Sequence, residues 1–425
     1  MSTSLRKAAG FAFALALLGS VAFGQMYNQT NLVSNISDGA PTIDPGMVNA
    51  WGIARRSNSP WWTADNRTGL STVYTGNGTK LGITVTVPAA KQGMAGTPTG
   101  IISNNDSTAF MLPDGESAFF LFCTLDGTIA GWNPGMGSKA MTVVKTTDGS
   151  SYTGLTSTMV NGQPRLYAAN FNLGTIDIYD THFHLIARGG GHDMGPGPGP
   201  GMGMMGRGAA MGVANPDEDG FGPAQGDGQN GPGEGPGGPG PGGFFADHVL
   251  PPHYVPFNVQ AIGGDIVVTY ALHMPGQLLE TDGPGNGYAD IYSANGRMLL
   301  RLQHGNWLNS PWGVALAPLD FGAFSHDLLV SQFAGGGTTQ SSGYIVAYDM
   351  TTGEMKGLLE DANGKPLAIN GIWGISFGGN MSVNYDSTGA PAAEMYFSAG
   401  PNRGTAGIFG YLTPLSGDLI EGNDQ

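Results

Sequence analysis

Apolar and polar positions along the chain fall into short runs separated by turn formers, and the runs come in groups of four. The first group is Trp51 to Ala54, Trp61 to Asp65, Ser71 to Tyr74 and Ile83 to Val87, divided by Asn66-Arg67-Thr68-Gly69 and Gly76-Asn77-Gly78. Its last run, Ile83-Thr84-Val85-Thr86-Val87, alternates as a half-exposed outer strand does. The second runs of other groups are apolar throughout: Phe119 to Phe122, Ile266 to Val268, Leu328 to Val330 and Met395 to Phe397. A strand covered on both faces by neighbouring layers requires that composition.

Each group opens on one phrase, a large or β-branched residue, then Gly, then a branched aliphatic. It reads Trp51-Gly52-Ile53, Thr99-Gly100-Ile101, Thr153-Gly154-Leu155, Trp312-Gly313-Val314 and Trp373-Gly374-Ile375, with Phe257-Asn258-Val259 as a looser copy. Six units of roughly fifty residues match the period of a propeller. The pattern therefore predicts an all-β chain, a six-bladed β-propeller of four-stranded antiparallel blades. The sixth unit has Glu394 to Ser398 and Ile408 to Leu412 but no outer strand of its own. The spare run Tyr27 to Ser34 can supply it, closing the ring and removing an open sheet edge.

The one double-length gap between phrases holds a Gly/Pro/Met-rich tract, residues 188–245. Pro with Gly opposes both helix and ladder and buries little apolar surface, so the tract is expected to be a disordered insertion in a single domain spanning 25–425. The third unit's outer strand is expected to start at Leu185, break at the tract and resume near Phe244. Residues 1–24 read as a secretory signal, with Arg6 and Lys7 before the apolar Ala8 to Leu18 and Ala22-Phe23-Gly24 at the cleavage point. The expected product is an exported monomer, periplasmic or extracellular, without a membrane span after cleavage. The single cysteine, Cys123, permits no intrachain disulfide, and its apolar surroundings suit an inert thiol. Seventeen basic against 32 acidic residues give a formal charge of −15, which disfavours nucleic acid as a partner.

Leu166-Tyr167-Ala168-Ala169-Asn170-Phe171-Asn172 followed by Ile176-Asp177-Ile178-Tyr179-Asp180 resembles an NHL-type propeller blade, as does Tyr344-Ile345-Val346-Ala347-Tyr348-Asp349. With its recurring Trp-Gly-Ile/Val-Ala phrase, the chain also resembles an uncharacterised family of secreted bacterial proteins. That resemblance implies a fold and carries no established activity. Six-bladed propellers include metal-dependent lactonases, but the Glu that the lactonase pattern needs at the start of the first blade is missing beside Trp51.

The candidate chemistry is positional. Asn49, Asn309 and Asn370 stand just before the Trp of a repeat phrase, while Asp65, Asn170 and His273 stand at the ends of second strands. Their oxygens could converge on one mouth of the channel around a hard cation such as Ca²⁺ or a polyhydroxylated ligand. The alternative is that Asn and Asp cap their own turns. Gly201-Met202-Gly203-Met204-Met205-Gly206 has dinucleotide-loop spacing without the flanking strand and helix that loop needs. His192, Met194, Met202, Met204, Met205 and Met211 could gather Cu(I). Together these readings lead to a module for an extracellular ligand or protein partner, with a metal-assisted hydrolase or lyase at the mouth as the alternative.

Overall fold

The computed structural model describes residues 26–57, 59–190, 244–334, 342–378 and 393–415. They form six four-stranded antiparallel blades arranged as a β-propeller. Blade one is Ala50–Ala54, Trp61–Asp65, Leu70–Tyr74 and Lys80–Thr86, and blade two Pro98–Ser103, Phe120–Thr124, Thr128–Trp132 and Met141–Lys145. Blade three is Tyr152–Val160, Gln163–Asn170, Thr175–Tyr179 and Leu185–Gly189, and blade four Tyr254–Ile262, Asp265–Leu272, Gly287–Tyr292 and Met298–Arg301. Blade five is Pro311–Leu316, Leu328–Gln332, Ile345–Tyr348 and Met355–Leu358. Blade six takes Ile372–Phe377, Met395–Ala399 and Ile408–Pro414 from the end of the chain and Tyr27–Ser34 from its beginning.

The ring is thus closed by the N-terminal strand, paired antiparallel from Tyr27↔Pro414 to Ser34↔Ile408. A short strand that the sequence pattern does not reveal, Thr42–Ile43, then pairs in parallel with its end and covers part of the outer edge.

The core lies between the blades. Buried clusters fill all six interfaces, and a seventh sits on the axis. This is why second strands such as Phe120–Thr124, Leu328–Gln332 and Met395–Ala399 are buried at every position. Alternate residues face opposite neighbours, and both neighbours are apolar. Cys123 is one of these residues, its thiol pushed up to about 11 by burial.

The outer strand of blade three differs from its expected form. It ends at Gly189 and does not resume at Phe244, which lies in a turn. Gly190, at φ +78°, turns the chain away, and its N–H donates to the Phe244 carbonyl at 2.6 Å. Phe245 is buried between Tyr167 and Tyr292, in the interface of blades three and four. Arg188 also belongs to the blade, pairing with Asp177 and Asp148. The rest of the tract, residues 191–243, lies outside the described residues, as does the expected signal segment.

Candidate functional site at the ring mouth

The repeat phrase sits where the inner strands crowd together. In every blade the pairing of the inner strand with the second slips at the phrase, a β-bulge that bends the inner strand. The glycines are needed for space. A Cβ on Gly52 would lie 2.7 Å from the Thr99 carbonyl oxygen, one on Gly100 2.6 Å from the Leu155 nitrogen, and one on Gly374 2.8 Å from the Trp51 carbonyl oxygen. Each obstacle is backbone of the next blade, which cannot step aside.

Side chains stitch these strands together around the ring. Thr99 Oγ1 donates to the Tyr152 carbonyl (2.7 Å), Asn258 Nδ2 to Trp312 (2.8 Å), Ser331 Oγ to Trp373 (2.6 Å) and Ser398 Oγ to Trp51. Asn258, the one departure from Gly, therefore contributes a bond of its own between blades four and five.

The three phrase tryptophans meet on the axis although they come from blades one, five and six. Trp51 stacks on Trp373 at 3.7 Å and 17°, and Trp312 meets both edge-on at 6.1 and 5.9 Å. Phe257 and Phe171 complete the cluster, with Phe333 stacked on Trp373 at 4.0 Å. The indole N–H of Trp312 donates to the Thr153 carbonyl and that of Trp373 to Asn49 Oδ1. An aromatic plug thus seals the mouth, the end where inner strands begin. Beside it lies a cavity of about 20 Å³, bordered by Gly52, Gly100, Asn258, Gly313 and Gly374. That is room for about one water molecule.

Register places all six sequence-predicted residues at this same end, because Ala50 pairs with Asp65, Tyr152 with Asn170 and Tyr254 with Leu272. Their side chains take different routes. Asn49, left-handed at φ +54°, accepts from Trp373 and donates to Asn66 Oδ1 at 3.2 Å. Asp65 is fully buried within blade one, accepting from Thr63 (2.9 Å) and Thr72 (2.7 Å), and burial pushes its carboxyl up to about 7. Asn170 is also fully buried: Nδ2 donates to Ser150 and Asp177, while Oδ1 accepts from the Ser151 and Leu173 amides. Asn309 Oδ1 accepts from the Gly283 amide at 2.8 Å, and Asn370 Oδ1 from the Asn402 amide at 3.3 Å. The His273 ring packs against Phe171 in a tilted arrangement, centroids 4.5 Å apart at 34°, and donates through Nε2 to the Gln277 carbonyl.

The residues between Leu272 and Gly287 add groups that sequence position did not single out. This connection is tied to the start of the blade-five inner strand, where Ser310 Oγ donates to Asp282 Oδ1 at 2.7 Å. Burial and the neighbouring Asp282 push the Glu280 carboxyl up to about 7. Leu278 and Leu279 are exposed on the same connection. Its unusual length between two strand runs was the available signal. Among the described residues no three His, Cys, Asp or Glu side chains group as metal ligands, and no helix is long and apolar enough to cross a membrane. His182 and His184 share a face, with parallel rings 6.1 Å apart, but lie on a third-to-outer turn at the opposite end. The methionine-rich candidates for Cu(I), His192 to Met211, are outside the described residues.

No known protein-family profile matches the chain. Two uncharacterised proteins of Acanthamoeba polyphaga mimivirus are similar to it. One is 26% identical over 81% of this chain and 72% of its own length, the other 25% over 90% and 84%. Among solved structures, Staphylococcus aureus virginiamycin B lyase resembles it with a TM-score of 0.43 at 11% identity, over 92% of this chain and 99% of the lyase. The Kuenenia stuttgartiensis hydrazine synthase gives 0.41 at 12%, over 86% and 77%. The similar sequences are viral, so affiliation with a secreted bacterial, NHL-like family does not follow from them.

Proposed function

We propose that the protein is a binding or scaffolding module that offers the mouth end of its ring to an extracellular ligand or protein partner. The observation that carries this reading is the sealed axis. With three tryptophans packed across the mouth and about one water's volume beside them, a ligand is met by the surface of the mouth. That surface is built by the connections at this end, including residues 273–286, the turn 400–407 and the point where the chain leaves at Gly190 and returns at Phe244. Exposed Leu278, Leu279 and Asp282 offer mixed apolar and acidic chemistry to a partner. Of the six sequence-predicted residues, His273 and Asn370 are half-buried and keep solvent contact; Asn49, Asp65, Asn170 and Asn309 shape the mouth from beneath.

Export of a monomeric ring is part of the proposal, supported by the Arg6-Lys7 start, the apolar Ala8 to Leu18 and the acidic composition. Hydroxyl-radical footprinting, comparing the purified protein with the protein in its native secreted fraction, tests the reading. Protection is expected at Gln277 to Asp282 and at Arg403. Protection confined to the outer strands, or none, would defeat it. A divalent metal retained in stoichiometric amount and lost in His273→Ala would instead favour metal-assisted hydrolysis or lysis at the mouth.

A further inference from the structure

Blade six is assembled differently from the other five. In those, the outer strand follows its neighbour through a local turn. In blade six it arrives from the other end of the chain and is tethered through residues 35–49. The recognition is nevertheless detailed. Tyr27 is buried in the interface of blades five and six, its ring 4.7 Å from that of Phe321 and its hydroxyl donating to the Phe321 carbonyl at 3.0 Å. Leu32 and Val33 enter the interface of blades six and one, beside Met47, Trp61 and Phe409. Ser34 Oγ donates to the Gly407 carbonyl at 3.0 Å, while Asn28 and Gln29 face solvent.

We propose that the edge of strand Ile408–Pro414 is a strand-acceptor site that takes residues 27–34 of a second copy as readily as the chain's own. The site reads an extended peptide through ladder hydrogen bonds, a tyrosine pocket at the first position and apolar pockets at the sixth and seventh. Every contact just described is made by residues 27–34 themselves, so none depends on which chain supplies them. The tether decides the outcome by concentration. A short link presents its own strand at an effective concentration on the order of millimolar, so the intact ring closes on itself in dilute solution. A second copy competes once the tether is cut or the chain is concentrated. Ile36, Ser37 and Asp38 in that tether are exposed. The inference is independent of the mouth reading.

The test uses the full chain with a protease recognition sequence inserted between Ser37 and Asp38, cut after folding. A fluorescent peptide of residues 26–36 is then added. The expected result is uptake of the peptide by the cut ring, with unlabelled Tyr27→Ala and Val33→Asp peptides competing at least tenfold less well than the native sequence. Absence of uptake, or equal competition by the Val33→Asp peptide, overturns the proposal. Should the cut ring aggregate, uncut chains carrying two different tags are refolded together over a range of concentrations. Mixed dimers that increase with concentration support exchange; their absence at every concentration refutes it.

Discussion

Replacing Trp312 by alanine tests whether the aromatic plug holds the ring together or serves a ligand. The side chain is 4% exposed, packs edge-on against Trp51 and Trp373, and donates its indole N–H to the Thr153 carbonyl two blades away. Truncation removes a large buried side chain from a site whose walls are fixed by the closed ring, so the void cannot collapse. Such changes cost about 3–5 kcal/mol. The Thr153 carbonyl also loses its indole donor, which adds about 1 kcal/mol. Trp312→Phe separates the two contributions: it keeps most of the filling and loses the hydrogen bond, so about 1–2 kcal/mol is expected. Urea unfolding followed by far-UV circular dichroism measures both variants without relying on the fluorescence of the residue removed. If Trp312→Ala unfolds within about 1 kcal/mol of the native protein while binding at the mouth is lost, the plug is a ligand platform and the structural argument fails.

Deleting residues 25–36 removes the outer strand of blade six and should sharply lower the melting temperature; a truncated protein that melts like the intact one would contradict closure by Tyr27–Ser34. Replacing residues 191–243 by a short Gly/Ser link should leave thermal unfolding almost unchanged, since Gly190 and Phe244 already meet at 2.6 Å; an unfolded ring would show that the tract is needed. Gly100→Ala should destabilise by several kcal/mol, roughly the scale of overpacking strain, whereas Gly82→Ala, with nothing within 4 Å, should be near neutral; equal melting temperatures would refute the close-approach argument. Asp65 has its carboxyl pushed from 3.8 to about 7 by burial, so the folded state holds a proton that the unfolded state releases. Its contribution to stability is therefore full below pH 3.8 and is lost as pH rises towards about 7. The difference in unfolding free energy between the native protein and Asp65→Asn should follow that slope, and a difference independent of pH would refute it.

Much of the ring could be read directly from the chain because its elements are local. Alternation and turn residues delimit strands within a few positions, so Trp61–Asp65 and Tyr27–Ser34 appear in the structure with the bounds the pattern predicts. The missing outer strand of the sixth unit could be deduced, since a sheet edge needs a partner and one run lacked a group. At the tract the local reading fails: the outer strand of blade three is expected to resume near Phe244, whereas Phe244 lies in a turn beside a buried Phe245.

The candidate site depended on contacts that no local pattern contains. Asn49 and Trp373 are 324 positions apart, and Trp312 and Thr153 are 159 apart, yet each pair shares a hydrogen bond. From sequence, an Asn before an inner strand is an oxygen donor at the mouth; in the ring, Asn49 is the acceptor for an indole. The tryptophans likewise repeat in the chain as equivalent blade residues, and only closure of the circle makes them neighbours. Strand formation follows from steric and hydrophobic preferences of adjacent residues, which the sequence by itself determines. Whether a polar atom stays available for a ligand depends on which distant group reaches it first, and that is decided by the tertiary structure.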